Sequence, residues 1–82
     1  MMKKGIKSNT QIFKPTSFHL VVNGSIYDGI NGKEIAKWNK DTSFTSNEKT
    51  SEWIKITGYF VNKKWVGATK SMWVKLIDVT KK

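Results

Sequence analysis

The stretch that decides the fold is residues 52–60, which read Glu52-Trp53-Ile54-Lys55-Ile56-Thr57-Gly58-Tyr59-Phe60. Successive side chains of a β-strand point to opposite faces of a sheet, so this alternation predicts one long strand with two different sides. One side carries Ile54, Ile56 and Phe60, which we expect to face the core. The other side carries Trp53, Lys55, Thr57 and Tyr59, and its aromatic and basic character predicts an exposed contact surface.

Short strands separated by turn residues surround this stretch. They are predicted at residues 18–22, 25–27, 34–38, 42–46 and 65–66, and a final strand pair, broken near Lys75, is predicted over residues 72–79. Asn23-Gly24 is a strong signal for a two-residue hairpin, and further turns are predicted at residues 28–29, 39–41, 47–51 and 62–64. No stretch keeps the apolar spacing of three and four that a helix needs. The predicted fold class is therefore all-β, a small, partly open barrel of five to seven short antiparallel strands.

The chain has 82 residues, which is the size of one domain. We predict a basic, loosely ordered arm over residues 1–16, in which Pro15 favours extended backbone, and a single β-domain over residues 17–82. Residues 1–7 are basic like the start of a signal peptide, but no apolar segment follows. We expect a cytoplasmic protein if this N terminus is native and a cell-envelope protein if a leader has been removed.

The charge balance is strongly basic. Fifteen basic residues against six carboxylates give a formal net charge of +9, and every basic residue is lysine. Lysine supplies a point charge rather than the planar fork with which arginine reads guanine or clamps phosphate. Any binding to nucleic acid is therefore expected to be weakly specific and sensitive to salt. No apolar run is long enough to cross a membrane.

The residues that catalysis or metal binding needs are scarce. The chain has one histidine, His19, and no cysteine. His19 lies in an apolar run without an acidic neighbour, and the six carboxylates fall mostly at turns and strand ends, where pairing with lysine is their expected role. A zinc site is improbable for the same reason. We therefore predict a protein that is not an enzyme and has no cofactor.

Aromatic residues are the most informative remaining feature. Four tryptophans cannot all be enclosed in so small a core. We expect Trp38 and Trp73 to serve mainly in packing. The predicted ligand-binding face is an aromatic and lysine-lined groove made of Tyr27, Trp53, Lys55, Tyr59, Lys63, Lys64 and Trp65.

Several short motifs resemble those of bacterial Src-homology-three domains. Residues 33–44 resemble the strand and K-G-T turn of that family, Glu52-Trp53-Ile54-Lys55-Ile56 its W-x-K-I strand, and Ser71-Met72-Trp73-Val74 its G-W-V element, with residues 76–79 as the last turn and strand. Residues 25–29 take the place of its opening segment without the usual arginine and proline, and residues 58–71 form an insertion. The resemblance implies an SH3-like barrel that works as a non-catalytic binding module for cell-wall peptides or partner proteins.

Three functions follow as hypotheses. The preferred one is recognition of a peptide, a partner protein or a peptidoglycan fragment through the aromatic face. The first alternative is a single-strand nucleic-acid-binding barrel, suggested by the charge and the aromatics. The second is a small accessory protein of a phage or mobile element that inhibits an acidic host protein. The oligomeric state stays open, because the run at residues 18–22 could pair with a second copy.

Overall fold

The computed structural model describes residues 10–81. Within that range nine β-strands and one turn of 3-10 helix follow one another, and no α-helix is present. The strands are β1 (Gln11–Leu20), β2 (Gly24–Tyr27), β3 (Glu34–Trp38), β4 (Ser43–Lys49), β5 (Trp53–Lys55), β6 (Gly58–Val61), β7 (Lys64–Gly67), β8 (Trp73–Lys75) and β9 (Val79–Lys81), and the 3-10 turn is Leu76–Asp78.

All nine strands belong to one antiparallel sheet. The main path runs β3-β2-β8-β5-β4-β1-β9, and β6 and β7 branch from β4. Across the described residues β3 and β9 end the path without pairing to each other, so the sheet is not closed. The all-β, antiparallel, partly open architecture expected from the sequence is confirmed. The strands outnumber the expected five to seven, in part because the segment predicted as one strand over residues 52–60 is divided into β5 and β6. The strand pair predicted within residues 72–79 corresponds to β8 and β9.

The predicted strand over residues 52–60 is divided into β5 and β6. β5 pairs with β4 at Lys49, and β6 pairs with β4 at Phe44 and Thr45. Between them the chain changes partners: the Ile56 amide donates to the Met72 carbonyl and the Thr57 amide to the Thr45 carbonyl. On the opposite edge β5 therefore meets β8, whereas β6 meets β7. The prediction of one uninterrupted strand is wrong, because the two halves belong to different parts of the sheet.

The hairpin predicted at Asn23-Gly24 does not form. β1 pairs with β4 and β9 rather than with β2, and the Asn23 side-chain oxygen accepts a hydrogen bond of 2.7 Å from the Lys40 amide. The two-residue hairpin lies instead between β6 and β7. Asn62 and Lys63 there both have positive φ, 51° and 69°, which is the geometry that a two-residue turn of this twist requires.

The predicted arm over residues 1–16 lies partly outside the described residues. From Gln11 onward it belongs to β1, whose pairing with β4 begins at Gln11 and Ile12 and shifts register before Thr16. Pro15 falls inside this irregularity, where its missing N–H removes no regular ladder bond. Phe13 packs edge-on against Phe18 with 6.1 Å between ring centroids. This part of the segment is ordered strand, because Phe13 and the β4 ladder hold it against the core.

The core lies inside the curve of the sheet. Its buried members are Phe18, Leu20, Ile26, Phe44, Ile54, Ile56, Met72 and Val74. Ile54 and Ile56 face inward as predicted, but Phe60 is only half-buried and lies outside this cluster. Phe60 is directly opposite Trp65 on β7, so it belongs to the outer side of the sheet. The interrupted strand is the reason, since period-two alternation does not carry through residues 56–57.

Candidate functional site

The predicted aromatic face is not one surface. Its seven residues are distributed over three places: Tyr27, Trp53 and Lys55 on β2 and β5, Tyr59 on the inner side of β6, and Lys63, Lys64 and Trp65 on the hairpin of β6 and β7. The shared groove predicted from the sequence is therefore wrong as a single site. Its parts have different environments and different chemistry.

Trp53 is a packing residue. Only 6% of it is exposed, and its ring meets the Tyr27 ring edge-to-face at 5.2 Å. The amide of Leu76 donates to the Glu52 carbonyl, which holds the 3-10 turn beside Trp53. The turn and Tyr27 therefore lie against Trp53 on the side of the strand that the sequence predicts to be exposed. The expectation that Trp53 is exposed is wrong.

Tyr59 also packs inward. It lies opposite Phe44 in the ladder between β6 and β4, and its ring is 5.0 Å from that of Trp38. Both Tyr59 and Trp38 pack against the core cluster. Trp38 therefore has the packing role expected of it. Trp73 is half-buried, and its indole N–H donates to the Ser71 hydroxyl at 3.2 Å.

The three lysines of the predicted face lie in two places, with Lys55 on β5 and Lys63 and Lys64 at the hairpin of β6 and β7. Lys55 lies 3.9 Å from the Glu48 carboxylate, a partly exposed pair that contributes little to stability. Lys63 occupies the tight turn, and Lys64 pairs with Val61 in the hairpin ladder. Because neighbouring residues of a strand point to opposite faces, Lys64 points away from the side that carries Trp65.

Trp65 is the exposed tryptophan of the set, with 53% of its surface accessible. Its indole N–H donates to the Thr45 hydroxyl at 3.0 Å. The ring lies flat on the backbone of Gly58: a Cβ at that position would overlap the Cζ2, Cε2 and Nε1 atoms of the indole. A glycine at position 58 is what permits this close approach. We call the outer side of the sheet around this ring the Trp65 face.

A second feature is a cleft beside the 3-10 turn. Its volume is about 570 Å³, and it is lined by Asn31, Ser51, Glu52, Trp53, Lys75, Leu76 and Ile77. Trp53 forms a buried wall, whereas Ile77 at the middle of the turn is 85% exposed. We call this feature the Ile77 cleft. Sequence reasoning missed it, because residues 76–78 were read as strand and turn without any sign that Ile77 points to solvent.

His19 is the single histidine of the chain. It lies on β1 between Ser43 of β4 and Thr80 of β9. Its Nδ1 atom is buried and has no hydrogen-bond partner among residues 10–81. Over the same range no group of three or more His, Asp or Glu side chains is arranged to hold a metal ion.

Replacing His19 by threonine should stabilise the domain by about 1 kcal/mol. The change removes a buried nitrogen without a partner and places a β-branched hydroxyl side chain between Ser43 and Thr80. Urea denaturation followed by tryptophan fluorescence measures the effect. Ser17→Thr, at the neighbouring outer position of β1, is the control for strand propensity alone. A lower midpoint for His19→Thr than for the wild type would contradict the assignment of Nδ1 as unsatisfied.

No helix within residues 10–81 has the length and apolar character needed to span a bilayer. Comparisons of the chain with protein-family models, with curated proteins and with solved structures gave no match. The described residues offer two surface features for binding, the Ile77 cleft and the Trp65 face.

Proposed function

We propose that this protein is a non-catalytic binding module that docks an extended peptide segment of a partner in the Ile77 cleft. The observation that carries the proposal is the position of Ile77, an aliphatic side chain 85% exposed at the rim of a concave site. Single exposed apolar residues are common on protein surfaces, but one beside a cleft with an aromatic wall can serve as a binding anchor. The 3-10 turn fixes its position in the unbound protein.

The polar groups of the Ile77 cleft suit a peptide. Asn31 and Ser51 can donate and accept hydrogen bonds, which matches the N–H and C=O groups of an extended backbone. Glu52 and Lys75 place one charge of each sign at the cleft. A polyanion would meet the carboxylate of Glu52 as a repulsive group, whereas a peptide with side chains of mixed charge would not.

The resemblance to bacterial Src-homology-three domains supports the same proposal. The last elements follow the order that the resemblance implies: β8 carries Trp73 and Val74, the 3-10 turn Leu76–Asp78 comes next, and β9 ends the described chain. Under this proposal the fold is SH3-like, and the module recognises a partner protein or the peptide portion of a cell-wall fragment.

Selection from a random peptide library displayed on phage tests the proposal without knowledge of the natural partner. We expect peptides with an apolar anchor to be enriched and to bind with a Kd of about 1–100 μM, as small single-site modules do. In ¹⁵N-labelled protein the selected peptides should shift the amide signals of residues 51–53 and 75–78. Ile77→Ser should weaken binding by about tenfold or more, which corresponds to loss of one well-placed apolar contact.

Val61→Ser is the matched control. Val61 is also an exposed β-branched residue, but it lies at the end of β6, next to the hairpin turn. The Val61→Ser variant should bind the selected peptides as well as the wild type does. Equal losses in Val61→Ser and Ile77→Ser, or peptide-induced shifts confined to strands away from the 3-10 turn, would overturn the assignment of the cleft.

Binding of single-stranded nucleic acid is the second candidate, and the observation that favours it is the charge. Within residues 10–81 one ion pair forms, between Lys55 and Glu48, so most lysines there are available to phosphates. Such binding would weaken steeply with salt and would distinguish poorly between sequences. It ranks second because Lys64 points to the side opposite Trp65 and because Glu52 lines the cleft.

A further inference from the structure

The orientation of the Trp65 ring is fixed by a hydrogen bond and by close packing on the sheet. Thr45 accepts the hydrogen bond from its indole N–H, and the Thr57 hydroxyl is 3.1 Å from that of Thr45. One face of the ring is pressed against Gly58, and a Cβ at Gly67 would meet the ring edge at 3.4 Å. The other face is open to solvent. Because the only polar atom of the indole already has a partner, an incoming molecule would meet an apolar π-face that costs little to order.

The strand register shows what surrounds the ring. β7, β6, β4, β1 and β9 lie side by side in that order. Residues directly opposite each other in a ladder share a face. Through these pairs the Trp65 face also carries Phe60, Gly58, Gly67, Thr45, Ser17, Ser43, His19 and Thr80.

The composition of the Trp65 face contrasts with that of the whole chain. The chain has fifteen basic residues, yet none of the nine positions around the ring, Trp65 included, is a lysine or a carboxylate. The charged members of the ladder between β1 and β4, Glu48 and Lys49, lie at the far end of β4, on the other side of the register shift between the two strands. The side chains that contribute polar groups there are serine, threonine and histidine. A hydroxyl can donate and accept a hydrogen bond at once. The face is therefore suited to a ligand that is uncharged, rich in hydroxyl groups and flat on one side.

We propose that the Trp65 face binds a neutral oligosaccharide. The C–H groups on one side of a pyranose ring carry a small positive charge and pack against the negative face of an aromatic ring. The sugar hydroxyls would exchange hydrogen bonds with the serine and threonine side chains of the neighbouring strands. Four steps between adjacent strands span about 19 Å, enough for a short chain of sugar rings. This site is separate from the Ile77 cleft and does not depend on it.

Titration of the ¹⁵N-labelled protein with cellohexaose and hexa-N-acetylchitohexaose, two neutral hexasaccharides, tests the proposal. Four tryptophans give four indole N–H signals, and Trp65→Phe identifies the one from Trp65. We expect that signal, and the amides of Ser17, Thr45 and Thr57, to move with a Kd of about 0.1–5 mM for at least one of the two sugars. Trp65→Ala should weaken binding by about tenfold or more, and Trp65→Phe by less, because phenylalanine keeps an aromatic face.

Thr45→Val tests the positioning of the indole. Valine has the shape of threonine but cannot accept the indole hydrogen bond of 3.0 Å. We expect the Trp65 indole signal to shift in the free variant, the other amide signals to stay in place, and sugar affinity to fall by about threefold. An unchanged affinity in this variant, with the indole signal displaced, would overturn the positioning role of Thr45.

Ile77→Ser separates this proposal from the peptide-binding proposal. The Ile77→Ser variant should bind the sugars with wild-type affinity and bind the selected peptides weakly. Trp65→Ala should bind the peptides with wild-type affinity and the sugars weakly. Absence of any shift with both sugars up to about 5 mM overturns the neutral-sugar proposal. So does displacement of the Trp65 signal by an oligothymidylate at low salt but by neither sugar, which would assign the ring to base stacking.

Discussion

Replacing Phe44 by alanine should lower the free energy of unfolding by about 3–5 kcal/mol. Phe44 is fully buried. Its ring stacks on that of Phe18 with 5.8 Å between the ring centroids, and the centroid of the Trp38 ring is 6.3 Å away. It also lies where β4 is paired on both edges, opposite Phe18 of β1 and Tyr59 of β6. Its removal leaves a cavity where β4 meets β1 and β6.

The expected loss is large for a chain of this length. At about 0.05–0.15 kcal/mol per residue, a domain of this size has a total stability of about 4–12 kcal/mol. The melting temperature should fall by about 12–40 °C, because each kcal/mol corresponds to about 4–8 °C in small domains. Circular dichroism during heating, together with urea denaturation, measures both quantities.

Phe60→Ala is the matched comparison, because sequence alternation placed Phe60 in the core and the structure places it on the Trp65 face. We expect it to cost less than half as much as Phe44→Ala, since a half-buried ring leaves a smaller cavity. Equal losses in the two variants would contradict the inward position of Phe44 and the outward position of Phe60 together.

Strand β3 illustrates what local sequence determines. Its bounds, Glu34–Trp38, agree with the prediction residue for residue. Glycine and asparagine precede it, and Asn39, Lys40 and Asp41 follow, so both ends are set by neighbours in the sequence. Asp41 has a positive φ of 73°, a conformation that aspartate tolerates in a turn. Elements bounded by such residues are predictable because the signal and the structure involve the same few positions.

Strand β1 illustrates what local sequence cannot determine. Asn23-Gly24 has the composition of a hairpin, but β1, the strand that precedes it, pairs with β9 at residues 79–81 and with β4. Those partners are distant in sequence, and their pairing is decided by which arrangement buries Phe18 and Leu20. The composition of a turn predicts where the chain can reverse its direction. Which strands then pair is decided by the burial of side chains that are distant in sequence.

The candidate site divides in the same way. The exposure of Trp65 was predictable, because a tryptophan beside Lys63 and Lys64 in a short returning strand has few neighbours that could cover it. The burial of Trp53 was not, because it depends on the 3-10 turn that follows β8. The separation of the two tryptophans onto different parts of the sheet comes from the change of partners at residues 56–57, which alternation alone does not reveal.

Replacing Trp53 by alanine should destabilise the domain by about 3–5 kcal/mol. Only 6% of Trp53 is exposed to solvent, and its side chain packs against Tyr27 and the 3-10 turn. A contact residue on an open face would instead lose its partner while keeping the fold. Urea denaturation, with the ¹⁵N amide spectrum as a test of folding, separates these outcomes.

Trp65→Ala is the matched control, since it removes the same side chain from an exposed position. It should cost about 1–2 kcal/mol, mainly through the lost hydrogen bond to Thr45 and the uncovered backbone of Gly58. A native amide spectrum for Trp53→Ala, with a midpoint no lower than that of Trp65→Ala, would contradict the buried position of Trp53.

Trp53 affects both the stability of the domain and the shape of the Ile77 cleft. Trp53 walls the cleft and supports the sheet at once, so loss of peptide binding in Trp53→Ala would follow from unfolding alone. Trp53→Phe keeps most of the apolar volume and should remain folded, with a cost below that of the alanine variant. If Trp53→Phe retains peptide binding while Ile77→Ser loses it, the indole is part of the framework and the exposed isoleucine makes the contact.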